Sequence, residues 1–165
     1  MSRILGIDLG EKRVGIALAD GDGAPARPLT TLRRAGDLVG DAAALRALVV
    51  AHDVGELVVG LPFDASGTEG PQAELTRSWA TVVAADLRLP LTFRDERLTS
   101  HLAEDRLGPM KRGRSGGPPT RTQRDAYKAR VDREAAAIIL QDELDARAGT
   151  RSSRTPTSDP SESRS

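Results

Sequence analysis

A chain of 165 residues with 38% hydrophobic content suits one domain with a real core. Its 24 basic and 24 acidic side chains cancel, so any attraction to a polyanion has to come from a local cluster. With no cysteine there is no disulfide, no thiolate nucleophile and no Cys-ligated zinc, and four aromatic residues are too few for a base-stacking sheet.

The chain enters a strand pattern at once, without a basic-then-apolar leader, and no apolar run reaches the ~20 residues of a membrane span. The expectation is a soluble, cytoplasmic protein with no membrane partner. Residues 3–9 and 13–20 read as two strands joined at Gly10-Glu11-Lys12, an antiparallel hairpin. A third strand is expected around Leu29–Arg33. Asp37 can cap a helix reaching about His52, because Leu38, Ala42, Leu45 and Val49 recur at helical spacing. The run ELVVGLP (56–62) is a short apolar strand, followed by the polar loop FDASGTEGP. Pro71 suits the first turn of a helix over about 71–87, and Trp79 on it reads as a packing residue. LTFRDE (91–96) is the next strand. Thr99 or Ser100 can cap a short helix to about Leu107, a Gly/Pro-rich basic loop follows, and a last helix runs from about Thr122 to Ala146.

Strand–helix–strand alternation after an antiparallel hairpin predicts a mixed α/β sheet with helices on both faces. Residues 1–148 form that domain, and residues 149–165, which hold no large apolar side chain, are expected to be a disordered tail.

Three carboxylates stand where sites collect in such sheets, at strand ends and on the helix packed behind them. Asp8 interrupts an apolar strand, Glu96 ends another, and Asp132 lies one turn before the buried-looking run from Ala135 to Leu140. Taken singly, Asp8 could accept backbone hydrogen bonds, Glu96 could pair with Arg94 or Arg97, and Asp132 could sit on a solvated face beside Arg130 and Arg133. Taken together, three converging carboxylates call for a hard cation, Mg²⁺ or Mn²⁺. Two such ions about 4 Å apart can activate a water and stabilise the leaving oxygen of a phosphodiester.

The nucleic-acid contacts expected from sequence are local. Lys12 and Arg13 lie at the hairpin turn near Asp8. Ser66 and Thr68 lie in the loop before the 71–87 helix, where backbone N–H groups attract phosphate; ordinary capping by either residue is the alternative, slightly favoured. From Arg106 to Arg133 nine basic residues face only Asp125 and Asp132, and Lys111, Arg112, Arg114, Arg121, Arg124 and Lys128 form the body of this basic arm. Tyr127 within it could stack on a base. His52 and His101 lack a second ligand at metal spacing.

The segments GIDLGEKRVGIALAD, VVGLPFDASGTEGPQ, RDERLTS and VDREAAAIILQDEL, in that order, resemble the YqgF/RuvX family of RNase H-like proteins related to Holliday-junction resolvases. The resemblance spans nearly all of residues 3–146. It implies an RNase H-like fold and a metal-dependent endonuclease with Asp8, Glu96 and Asp132 as its acidic triad. It further implies 5′-end maturation of pre-16S rRNA, in contact with ribosomal precursor particles. Holliday-junction resolution and a non-catalytic assembly role are the alternatives. Ala135 stands where resolvase relatives carry a fourth carboxylate, which bears on whether two ions bind or one. An ATPase of the actin–hexokinase type shares the opening hairpin, but the chain shows no second one.

Overall fold

The computed structural model describes residues 2–64, 66–96 and 99–153, without the side chains of Arg114 and 151–153. Strands β1 (Arg3–Leu9), β2 (Arg13–Ala19), β3 (Arg27–Arg33), β4 (Val54–Leu61) and β5 (Leu91–Asp95) form one sheet in the order β3-β2-β1-β4-β5. The pairs β1–β2 and β2–β3 are antiparallel, while β1–β4 and β4–β5 are parallel. The expected mixed sheet of an RNase H-like α/β fold is thus realised.

Helices α1 (Leu38–His52) and α2 (Pro71–Leu87) cover one face. Their core includes Leu5, Ile7, Ile16, Leu18, Leu57 and Val59, all essentially sealed from solvent. Truncating any one of these to alanine costs about 2–5 kcal/mol. Asp37 caps α1 as anticipated, its side chain accepting from the Gly40 N–H at 2.7 Å. Trp79 is buried, and its indole N–H donates to Asp41 at 3.1 Å. Asp41 also accepts from Arg34 Nε at 2.9 Å and from the Ala35 N–H at 2.8 Å, so a buried carboxylate ties the end of β3 to both helices. These bonds hold the Asp41 carboxyl below its ordinary pKa against the opposing effect of burial.

The other face is covered by α4 (Arg121–Ser153), with α3 (Thr99–Leu107) packed against it. Here Ile4, Ala17, Ala19 and Val58 meet Ala136, Ala137, Ile139 and Leu140, and Gly6 leaves room for the Leu140 side chain. The whole run Ala135–Leu140 is buried, as its composition demands. At its far end α4 is pinned by Arg147, which donates to Glu56 of β4 and to Glu143 one turn back.

Two expectations change. The last helix continues past Ala146 to Ser153, so residues 149–153 are helical and not part of a disordered tail. Ala146 and Ala148 favour helix, Arg147 is anchored to the sheet, and the Thr150 hydroxyl donates back to the Ala146 carbonyl at 3.0 Å. Residues 154–165 of that expected tail lie outside the described residues. Neither Ser66 nor Thr68 caps α2: its N-cap is Gly70, with no side-chain bond, and Pro71 needs no N–H partner. Among the described residues, no helix is long and apolar enough to cross a membrane.

Candidate active site

Alternation along β1 puts Leu5, Ile7 and Leu9 on the α1–α2 side and Ile4, Gly6 and Asp8 on the α4 side. Asp8 therefore leaves the main core and turns toward the helix that carries Asp132. Directly across the ladder from Asp8 stands Gly15. A Cβ on Gly15 would lie 1.9 Å from the Asp132 carbonyl oxygen, so α4 can pass this low over the sheet only because that side chain is missing. A second gap serves Glu96. The parallel pairing of β4 with β5 ends at Leu61 and Asp95, and the Glu96 N–H donates to the Leu61 carbonyl at 3.1 Å. Its carboxylate then lies over Gly60, where a Cβ would come within 2.6 Å of Oε2.

Asp8 and Glu96 meet in a side-chain hydrogen bond. Burial drives the Asp8 carboxyl up to about 6, with the bond to Glu96 opposing the rise and the charge of Asp132 adding to it. Glu96 is pushed up to about 10, first by burial, then by the charge of Asp8, by the bond it donates to Asp8, and by Asp95. Near neutrality the two carboxyls therefore hold one proton between them, shared across their hydrogen bond. Asp95 itself is exposed.

Asp132 is held from the other direction. Arg13 Nε donates to its Oδ2 at 2.7 Å, joining residues 119 positions apart. Its partner is thus neither Arg130 nor Arg133. Glu96 likewise takes Asp8 as its partner, while Arg94 lies 3.9 Å from Glu143; Arg97 is outside the described residues. Ala135 packs with Ala103, Val131 and Ile138 where α3 meets α4.

The donor set is all carboxylate, the chemistry that suits Mg²⁺ or Mn²⁺. A pair that must share a proton when alone has an unmet need for positive charge, which a divalent cation supplies. Asp8 and Glu96 fit that role together, with Asp132 close enough to act on Asp8 electrostatically. Among the described residues, no three carboxylates or imidazoles are gathered tightly enough to enclose an ion as they stand.

Beside Asp132 opens a groove of about 950 Å³. One wall is the strand ends: Lys12 and Arg13 from the hairpin, Arg33 and Arg34 from the end of β3. The other is the start of α4, with Arg121, Asp125 and Lys128. Thr31 ties the walls together, its hydroxyl donating to the Ala129 carbonyl and accepting from Arg133. Lys12, Arg13, Arg121 and Lys128, all expected from sequence to contact nucleic acid, line this groove. Arg124 points elsewhere, donating to the Pro119 carbonyl at 2.9 Å. Lys111 and Arg112 sit on the exposed loop after α3, and the side chain of Arg114 is outside the described residues. Ser66 and Thr68 fold around Asp64, which accepts from both of their backbone N–H groups at 3.0 Å. Tyr127 is taken up in packing, its hydroxyl donating to the Gly108 carbonyl at 2.9 Å. Sequence reasoning missed Arg33 and Arg34; the signal was there in two adjacent arginines at the end of a predicted strand.

A family model described as "RuvX: Holliday junction resolvase" matches residues 2–146. A protein of Gloeothece citriformis is 44% identical over 147 residues, covering 89% of this chain and 90% of its own length. One of Acaryochloris marina is 46% identical over 147 residues, covering 88% and 94%. Both are described as "Putative pre-16S rRNA nuclease". Among solved structures, Thermus thermophilus RuvC in complex with a Holliday junction substrate superposes with a TM-score of 0.53 at 15% identity, over 91% of this chain and 98% of RuvC.

Proposed function

The chain belongs to the RuvX family, and from that premise we propose that it is a metal-dependent endonuclease that hydrolyses phosphodiester bonds in structured nucleic acid, its substrate the 5′ end of pre-16S rRNA. One observation carries the reading: Asp132, whose charge bears on the buried carboxyl pair Asp8–Glu96, lines a groove rich in cationic side chains. On this reading the protein works in the cytoplasm on ribosomal precursor particles.

Asp8, Glu96 and Asp132 would hold the cation, Mg²⁺ or Mn²⁺. When bound, it supplies the activation of a water and the stabilisation of charge on the phosphate. A divalent charge held between Asp8 and Glu96 would outweigh the repulsion that keeps a proton on the pair, so both carboxyls would face it ionised. Asp8, half-buried on β1, stands directly across the ladder from Gly15. Arg13 fixes the rotamer of Asp132 through one oxygen and leaves the other available. Lys12, Arg121 and Lys128 draw the polyanionic backbone along the groove and set the register of the scissile bond.

A second reading, cleavage of a four-way DNA junction, is favoured by the likeness of fold to a junction resolvase. Side-by-side incubation of a pre-16S leader fragment and a four-way DNA junction, each with Mg²⁺, Mn²⁺ or EDTA, tests both. Metal-dependent cutting of the RNA alone, lost in Asp8→Asn, supports the first reading. Cutting of the junction alone supports the second. Cutting of neither, with salt-sensitive binding retained, moves the chain to a non-catalytic assembly factor.

A further inference from the structure

In the β2–β3 ladder Arg13 stands directly opposite Arg33. Residues paired in this way project to the same face, and like charges so placed repel. Arg13 is neutralised by Asp132. Arg33 is exposed, lines the same groove, and among the described residues has neither a carboxylate nor a hydrogen-bond partner. Its neighbour Arg34 is already spent on Asp41 and on the Gly10 carbonyl, over the ring of Trp79. Lys128 faces the pair from the α4 wall. The groove thus contains one guanidinium placed against its own electrostatic interest, a short way from the candidate metal ligands.

Resting on the nuclease reading, we propose that Arg33 is a phosphate-binding residue: it takes a backbone phosphate of the nucleic-acid strand next to the one being cleaved, with Lys128 closing from the opposite wall. A bound phosphate between Arg33 and Arg13 turns a repulsive cross-strand pair into a bridged one. The planar fork of an arginine suits this role because it offers two parallel donors to one phosphate. Arg33 belongs to the edge strand β3, so it would position the strand as it leaves the active site and touch no reacting atom.

The test uses the full chain in EDTA, so that binding is read without hydrolysis. A fluorescent RNA hairpin and a DNA duplex of matched length are titrated over a range of salt with wild type, Arg33→Gln, Arg33→Lys and Arg46→Gln. Arg46, on the opposite face of the sheet and paired with Asp86, serves as the charge-matched control. The slope of log K against log salt should fall by about 1 in Arg33→Gln and stay unchanged in Arg46→Gln. Arg33→Lys should restore the slope and only part of the affinity, since a lysine makes a point contact. Arg33→Gln should also melt about 1–3 °C higher without nucleic acid, because the repulsion is gone. A wild-type slope in Arg33→Gln, or an equal loss in Arg46→Gln, overturns the assignment of Arg33 and leaves the nuclease reading standing. Failure of the wild type to bind either probe overturns both. Whether the effect is larger on RNA or on DNA tells which backbone geometry the groove accepts.

Discussion

Gly15 lies across the β1–β2 ladder from Asp8, and the carbonyl of Asp132 occupies the space a Gly15 side chain would fill. Two of the three candidate metal ligands are thus brought together by the absence of a methyl group. Gly15→Ala should lift α4 locally and cost about 1–3 kcal/mol in urea unfolding. It should also weaken Mn²⁺ binding measured by electron paramagnetic resonance. A variant with unchanged stability and unchanged Mn²⁺ affinity would show that the helix does not need this gap.

Asp8→Asn should abolish cleavage and yet stabilise the metal-free protein at neutral and basic pH. The folded values of Asp8 and Glu96, about 6 and about 10, lie above their ordinary values of 3.8 and 4.5. Protonation therefore favours the folded state. The contribution is fully present below about pH 4 and is lost as pH rises, through about 6 for Asp8 and toward about 10 for Glu96. Asparagine removes one titration and the charge that raises the other. The Tm of Asp8→Asn in EDTA should exceed that of wild type by about 2–6 °C at pH 8 and approach it at pH 4.5. Parallel curves across that range would contradict the shared-proton arrangement.

Cation binding should release protons. At pH 7 the Asp8–Glu96 pair holds a proton that a bound divalent ion would displace. Calorimetry of Mg²⁺ or Mn²⁺ binding in two buffers of different ionisation enthalpy should give about one proton released per chain. Glu96→Gln should release none. Equal heats in both buffers for the wild type would place the ion elsewhere.

Asp132→Asn should separate binding from cleavage. It removes a negative charge from the groove and frees Arg13, so cleavage should be lost while affinity for an RNA hairpin in EDTA stays the same or rises. A marked loss of affinity would mean that Asp132 holds Arg13 in the orientation the nucleic acid requires.

Asp41→Ala should be among the costlier substitutions outside the active site, at about 2–4 kcal/mol in urea unfolding, because it strands the Trp79 and Arg34 donors together. By loosening Arg34 it should also shift the strand-end wall of the groove, which the salt dependence of RNA binding would register.

The parts of this molecule that depend on near neighbours could be read in advance. Asp37 signals the start of α1 by its own chemistry, and the alternation in RILGIDL orients Asp8 without any knowledge of its partners. The acidic triad came from motif resemblance together with strand ends. The Arg13–Asp132 bond was out of reach, because it links positions 119 apart and depends on how low α4 rides over Gly15. Arg33 was missed for a related reason: its pairing with Arg13 follows from a register that shifts at a bulge between Ile16 and Ala17. In the loop before α2 the sequence points Ser66 and Thr68 toward the helix that follows, whereas the carboxylate of Asp64 before them takes their hydrogen bonds.

The lid over the candidate active site is the last helix in chain order. A ribosome making this protein completes Asp8 first, Glu96 much later, and Asp132 only with α4. Until then Ile4, Ala17, Ala19 and Val58 lie open on one side of the sheet. Until α4 is made, a growing chain therefore lacks one of the three candidate ligands and leaves an apolar sheet face uncovered. On the nuclease reading proposed above, a chain built in this order could not cut RNA until α4 has emerged and docked.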